Sequence, residues 1–138
     1  MAHWLVKSEP GAWSWDDQVR VGTEPWTGVR NHQAANNLKA MRPGDTAFFY
    51  HSVQQKQVVG IVQVVRAAYP DPTDPTSRWV AVDVAAVRPL PRPVTLAAIK
   101  ADPRLAGLPL IRQSRLSVMP VDVESWSLVC ALGGLAPE

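Results

Sequence analysis

The sequence predicts an α+β fold in which a mixed or antiparallel β-sheet, either curled or forming a small barrel-like structure, is flanked by short helices. Runs rich in β-branched and aromatic residues alternate with short helical patterns along the chain. Thirteen prolines and eight glycines among 138 residues favour short elements joined by tight turns over a bundle of long helices. The hydrophobic share of 46% is typical of a folded globule, and the length suits one domain spanning residues 1–138.

Five strands are predicted from hydrophobic runs rich in strand-forming residues. They lie at residues 4–6, 46–51, 58–65, 79–87 and 118–121. We interpret the proline-rich stretch Tyr69–Pro75 as a loop between two strands of one sheet. Because the strands follow one another too closely for helical crossovers, the sheet should be mostly antiparallel or mixed.

Four short helices are predicted where a polar side chain able to cap a first turn precedes apolar residues at helical spacing. The capping side chains are Ser14, Asn31, Thr95 and Asp122. The first helix should run to about Arg20. The third should end before Pro103, and the fourth should stop at Gly133 and Gly134.

The net charge of +2 is small, but it is unevenly distributed. Residues 86–120 carry six basic side chains and one acidic side chain, whereas residues 121–138 carry only the acids Asp122, Glu124 and Glu138. A basic segment beside an acidic tail permits a local anionic partner. A solvated, arginine-rich surface explains the same pattern.

The composition disfavours several classes of protein. Cys130 is the only cysteine, so no disulfide within the chain is possible. His3, His32 and His51 are scattered without metal-ligand spacing, and we predict neither a metal nor a cofactor. The sequence shows no signal peptide and no apolar run long enough to span a membrane, so we expect a soluble cytoplasmic protein with no membrane partner.

Six of the ten aromatic residues are tryptophans, and their sequence contexts differ. Three lie within strand or helix patterns and are expected in the core: Trp4, Trp79 and Trp126. Trp13 and Trp15 flank the start of the first helix. Trp26 follows Pro25 and lies close to Gly28, where a turn can hold an indole rigidly while another group approaches.

Eight short segments follow one another in an order that resembles a known family. They are Trp4–Pro10, Trp26–Asn31, Asn36–Leu38, Gly44–Asp45, Phe49–Ser52, Gly60–Ile61, Tyr69–Asp71 and Arg115–Val118. Together they resemble the EVE domain from about residue 3 to residue 127. The resemblance implies a PUA-like fold, shared with YTH and ASCH domains. It also implies a non-catalytic module that reads a modified base, for example a methylated or hydroxymethylated one, in DNA or RNA.

Three positions depart from the pattern of the family. Thr27 stands where the family usually has an acid, His32 replaces a tyrosine, and Ala35 replaces an arginine. If Thr27 faces the pocket, an acceptor for an exocyclic amine is lost. The missing arginine at position 35 weakens any phosphate contact from that helix.

A base pocket needs flat apolar walls and polar groups matched to the edge of the base. The residues predicted to form it are Trp26, Gly28, Ser8, Asn31, Tyr50, His51 and Ser117. The cations predicted to contact phosphates are Lys7, Arg30 and Arg115. Alternatives remain for several of them: the indole of Trp26 could plug one end of the barrel, Asn31 could serve only as a helix cap, and Arg115 could be a surface residue.

Two other functions remain open. Lys7, Ser8 and Glu9 offer an amine, a hydroxyl and a carboxylate, as in a small hydrolase acting on a modified nucleoside. Strand alternation sends Lys7 and Glu9 to one face and Ser8 to the other, so these groups should not converge without a bend. The near-neutral charge and the Trp13 and Trp15 pair also suit a protein-interaction domain. The sequence leaves the oligomeric state open.

Overall fold

The computed structural model describes residues 1–135, and its six strands form one sheet. The strands are β1 (His3–Ser8), β2 (Thr23–Trp26), β3 (Thr46–His51), β4 (Gln57–Pro70), β5 (Val80–Thr95) and β6 (Val118–Val121). Their order across the sheet is β2-β5-β4-β3-β1-β6. Only β1 and β3 run parallel, and every other neighbouring pair in this sheet is antiparallel. The sheet is therefore mixed, as predicted, and it is open, with β2 and β6 as its edges.

Short helices flank the sheet, which confirms the α+β class. They are α1 (Trp15–Val21), α2 (His32–Ala40), α3 (Leu96–Ala101), α4 (Pro109–Arg112) and α5 (Val123–Leu132), with a 3₁₀ turn at Pro103–Leu105. All four predicted caps are present, because Ser14, Asn31, Thr95 and Asp122 each accept a hydrogen bond from a first-turn backbone N–H. At α1 the bond is reciprocal, since Asp17 accepts from the Ser14 N–H at 3.0 Å.

The two strands of the long hairpin extend well beyond their predicted limits. β4 runs to Pro70 and β5 runs to Thr95, and their pairing shifts register at four places. Such irregularities bend and twist a sheet. β2 was not predicted at all, because Glu24 and Pro25 are poor strand formers. It forms because it pairs with β5, so that Trp26 lies opposite Val82.

The largest buried side chains come from both faces of the sheet and from the helices. They include Phe48, Phe49, Leu38, Met41, Ile99, Leu105 and Met119. Trp15 packs directly on Gly60, where a Cβ would lie 2.6 Å from the indole ring. Position 60 therefore requires glycine because of this close approach.

The three tryptophans expected in the core differ in how far they are buried. Trp4 is buried, and the partly buried Trp126 stacks on Phe48, with ring centroids 3.8 Å apart. The expectation for Trp79 was wrong: it is half-buried outside the core cluster and packs against His32, with ring centroids 4.9 Å apart.

Within residues 1–135, no helix is long and apolar enough to cross a membrane. The acidic Glu138 lies outside the described residues.

Candidate functional site

A cavity of about 460 Å³ opens where the end of β1, the strand β2 and the loop after β2 meet. Its volume lies within the range of about 300–1,000 Å³ that small-ligand sites occupy. Six of the predicted site residues line it: Lys7, Ser8, Trp26, Gly28, Arg30 and Ser117. The structure thus brings together groups that are up to 110 positions apart in the chain, between Lys7 and Ser117.

Four predicted site residues do not line this cavity. Asn31 caps α2, because its side-chain oxygen accepts from the Ala34 N–H at 3.0 Å. Tyr50 is buried under the ammonium of Lys7, which lies 5.8 Å from the centre of its ring. Arg115 is exposed on the surface.

His51 is the fourth, and it serves the fold. It is 6% exposed, and its Nε2 accepts a hydrogen bond from the Trp15 N–H at 3.0 Å. Because Nε2 accepts, Nδ1 carries the proton and donates to Gln55 Oε1 at 2.6 Å. Both ring nitrogens are occupied, so His51 has no free atom to offer to a base.

Trp26 belongs both to the core and to the wall of the cavity. It is 8% exposed and meets Phe49 edge-to-face, with ring centroids 5.5 Å apart and planes at 87°. Trp15 also packs edge-to-face on Phe49, with ring centroids 5.4 Å apart. Edge-to-face contacts of this kind are favourable and directional. The indole of Trp26 is therefore fixed in place before any ligand arrives.

A buried carboxylate anchors the loop that follows Trp26. Asp71 is 1% exposed and accepts from the Gly28 N–H at 2.8 Å and from Arg30 Nη1 at 3.0 Å. Its other oxygen accepts from the N–H of Thr73 at 2.7 Å and from the hydroxyl of Thr73 at 2.6 Å. Gly28 has φ +82°, a left-handed conformation that favours glycine.

The electrostatics of Asp71 follow from these donors. Burial alone would raise its pKa, but hydrogen bonds from Thr73 and Gly28, together with Arg30, lower it to about 2. Arg30 therefore helps to shape the loop, and its side chain remains 39% exposed. Asp71 was not among the predicted site residues, although the segment Tyr69–Asp71 is one of the family-like motifs.

At the end of β1, Lys7 and Ser8 both line the cavity, and so does Glu9. β1 ends at Ser8 and the chain turns immediately afterwards, so Glu9 lies outside the strand. Within residues 1–135, no hydrogen bond joins these three side chains. Lys7 Nζ donates to the Ser114 carbonyl at 2.9 Å, and Ser8 Oγ donates to the Trp13 carbonyl at 2.5 Å. Burial lowers the pKa of Lys7.

Trp13 is a second indole on the cavity wall, and the sequence analysis did not assign it there. Its Nε1 donates to Gln18 Oε1 at 2.9 Å. Gln18 is fully buried and donates in turn to the carbonyls of Gly22 and Val84, at 3.0 and 3.3 Å. Trp13 lies five residues before Gln18 in the sequence, a separation that allows this contact. Helical spacing alone does not predict that the two side chains meet.

The three departures from the family pattern have different locations. Thr27 is exposed and lines the cavity. Ala35 is buried on the inner side of α2, whereas His32 at the start of that helix packs against Trp79 with the two rings tilted by 34°. Among residues 1–135, no group of three or more histidine, cysteine, aspartate or glutamate side chains could hold a metal ion.

Comparison with known proteins assigns this arrangement to a family. A model of the EVE domain matches residues 2–132. The chain belongs to the EVE domain family. Human thymocyte nuclear protein 1 is 34% identical, in an alignment that covers 99% of this EVE domain chain and 76% of the human protein.

Solved structures agree with the family assignment. The NMR structure of a protein from Rhodopseudomonas palustris is 57% identical, with a TM-score of 0.94, covering 100% of this chain and 97% of that one. The crystal structure of human THYN1 in complex with DNA containing 5-methylcytosine has a TM-score of 0.90 at 34% identity, covering 99% and 100%.

The EVE domain also resembles a more distant fold relative. The YTH domain of a Zygosaccharomyces rouxii protein, solved in complex with N6-methyladenosine RNA, has a TM-score of 0.59, covering 99% of this chain and 89% of that one. At 12% identity this likeness concerns the fold alone. The predicted PUA-like α+β fold is confirmed.

Proposed function

We propose that this EVE domain binds a modified base of DNA or RNA in the cavity beside Trp26, without catalysing a reaction. The observation that carries the proposal is the cavity itself, which combines two indoles with polar groups on a rigid support. The related human protein, of the same fold over nearly the whole chain, has been crystallised with DNA that contains 5-methylcytosine. We further propose that residues 1–138 form one such domain.

The cavity offers what a single extruded base requires. Stacking of a base on an aromatic side chain contributes roughly 1–3 kcal/mol, which offsets the few kcal/mol needed to take a base out of a duplex. The hydroxyl of Ser8 donates to Trp13 but can still accept a hydrogen bond, and the hydroxyl of Ser117 is also within the cavity. Lys7 Nζ retains donors beyond the one it gives to Ser114.

Three cations are proposed to position the backbone of the nucleic acid. Lys7 and Arg30 lie at the cavity, and Arg115 is two residues from Ser117. Contacts of this kind fix register and orientation and do not read sequence. We also propose a cytoplasmic location, which fractionation of cells that express the protein would test.

Replacement of Trp26 tests the base pocket. Trp26→Leu keeps much of the buried bulk and removes the flat indole face, so we expect the affinity for DNA with one 5-methylcytosine to fall about tenfold or more. Fluorescence anisotropy of labelled oligonucleotides, with and without the methyl group, measures this change.

Trp79→Ala is the matched control, because it removes an indole that lies outside the cavity. It should leave binding and methyl preference unchanged. If a folded Trp26→Leu protein, as judged by circular dichroism, binds methylated DNA as tightly as the wild type, the proposed pocket is wrong.

A further inference from the structure

Glu24 occupies a position from which its carboxylate can face a base that lies against Trp26. Both residues belong to β2 and both line the cavity. Residues two apart on a strand point to the same face, about 7 Å apart along the chain. A base against the indole therefore has the carboxylate of Glu24 within reach of its edge.

Within residues 1–135, the side-chain carboxylate of Glu24 has no hydrogen bond and no ion pair, although the backbone of Glu24 pairs with β5 opposite Val84. The other partly or fully buried acids of residues 1–135 do have donors: Asp17, Asp45, Asp71, Asp74, Asp83 and Asp102. Glu24 is half-buried at the cavity, and its carboxylate oxygens are open to water there. A ligand that displaces this water must supply a donor, since an unpaired buried charge is costly.

Its surroundings single out Glu24 among the acidic groups of the cavity. Glu9 also lines the cavity, but it is exposed and lies beyond the end of β1. Two other polar residues of the cavity do not alter the charge of Glu24. Thr27 is neutral, and Arg30 is paired with the buried Asp71 rather than with Glu24. The negative charge that a stacked base meets on the face of Trp26 is therefore that of Glu24.

We propose that Glu24 accepts a hydrogen bond from the exocyclic amine of the bound base, so that the cavity selects cytosine-type or adenine-type bases over thymine and uracil. The inference rests on the proposed function of the same cavity. A keto oxygen in place of the amine would oppose one acceptor to another and leave the carboxylate without a partner. We expect a preference of at least about tenfold, as for other charge-assisted hydrogen bonds.

Single-stranded oligonucleotides that differ in one base test this selection. One carries 5-methylcytosine and the other thymine, which share the methyl group and differ in the amino and keto groups and in the N3 proton. Single strands remove the unequal costs of opening two different base pairs. Competition anisotropy should show at least about tenfold tighter binding of 5-methylcytosine by the wild type, falling to below about threefold in Glu24→Gln.

Glu124→Gln is the matched control, because it removes the same charge from an exposed site on α5 outside the cavity. It should keep the full preference. If the wild type binds methylated DNA without preferring it to thymine DNA, or if folded Glu24→Gln keeps the preference, the role of Glu24 is wrong and the base pocket stands. If the wild type binds no modified oligonucleotide, the proposed function and this inference both fail.

Discussion

Gly60 shows how a single missing Cβ fixes the position of a large side chain. Its Cα lies under the ring of Trp15, which in turn packs edge-to-face on Phe49. Phe49 also holds Trp26. The wall of the cavity is thus connected to a glycine on β4 through three aromatic rings.

The substitution Gly60→Ala should be destabilising. The added methyl would lie 2.6 Å from the indole of Trp15, and overpacking of this kind costs about 1–3 kcal/mol. Urea denaturation followed by circular dichroism measures the free energy of unfolding. Gly107→Ala is the control, because a Cβ there meets nothing within 4 Å. Equal stability of the two variants would contradict the account of this contact.

The loop between β2 and α2 owes its shape to an acid from a distant part of the chain. Asp71 follows β4 directly and holds both Gly28 and Arg30. Gly28 and Arg30, which both line the cavity, therefore depend on a residue that does not line it. Loss of Asp71 should loosen the loop while leaving the six strands paired.

Asp71→Asn should change how stability depends on pH. The pKa of Asp71 is about 2 in the folded protein and near 3.9 when unfolded, so its ionised form stabilises the fold above pH 4. This contribution, of about 2 kcal/mol, is lost as the pH falls from about 4 towards 2. Denaturation at several pH values should show a difference between wild type and variant that shrinks across this interval. A difference that is constant from pH 7 to pH 2 would contradict the assignment.

The elements that the sequence predicted are those specified by local chemistry. Each helix cap needs only a side chain and the backbone N–H three residues later. The capping roles of Ser14 and Asp122 could therefore be predicted from the sequence. β2 could not be predicted from the sequence, because it forms through pairing with β5, which overrides the poor strand propensity of Pro25.

The site was predictable from the sequence only where its residues belong to local motifs. Trp26, Gly28 and Ser8 were recognisable from family-like motifs, and all three line the cavity. The role of Asp71 depends on partners more than forty positions away, which no local pattern contains. Glu24 lies outside the motifs, and only the geometry of β2 puts it beside the indole.

At the scale of the whole molecule, the basic residues are dispersed and few lie at the cavity. Arg104 is paired with Asp102 at 2.8 Å and Arg92 donates to the carbonyl of Leu132. Lys7, Arg30 and Arg115 are the cations that we place near the backbone of the nucleic acid. The electrostatic part of binding should accordingly be small.

The salt dependence of binding measures this contribution. For duplex DNA, three phosphate contacts predict a slope of log K against log salt of about −2 to −3. Arg115→Ala should make the slope shallower by about 0.9, at every sequence tested. Arg104→Ala is the control, since its guanidinium is already held by Asp102. A slope steeper than about −5 would mean that further cations contact the backbone.

The position of β1 in the sheet has a consequence for how the chain folds. It lies between β3 and β6, and His3 pairs with both Thr46 and Val121. Pairings between such distant residues raise the contact order, and high contact order slows folding. On a ribosome, β1 cannot complete its pairing until residues 118–121 have left the exit tunnel. Until then the cavity lacks Ser117, and Trp4–Val6 present an apolar edge that is a candidate for recognition by chaperones.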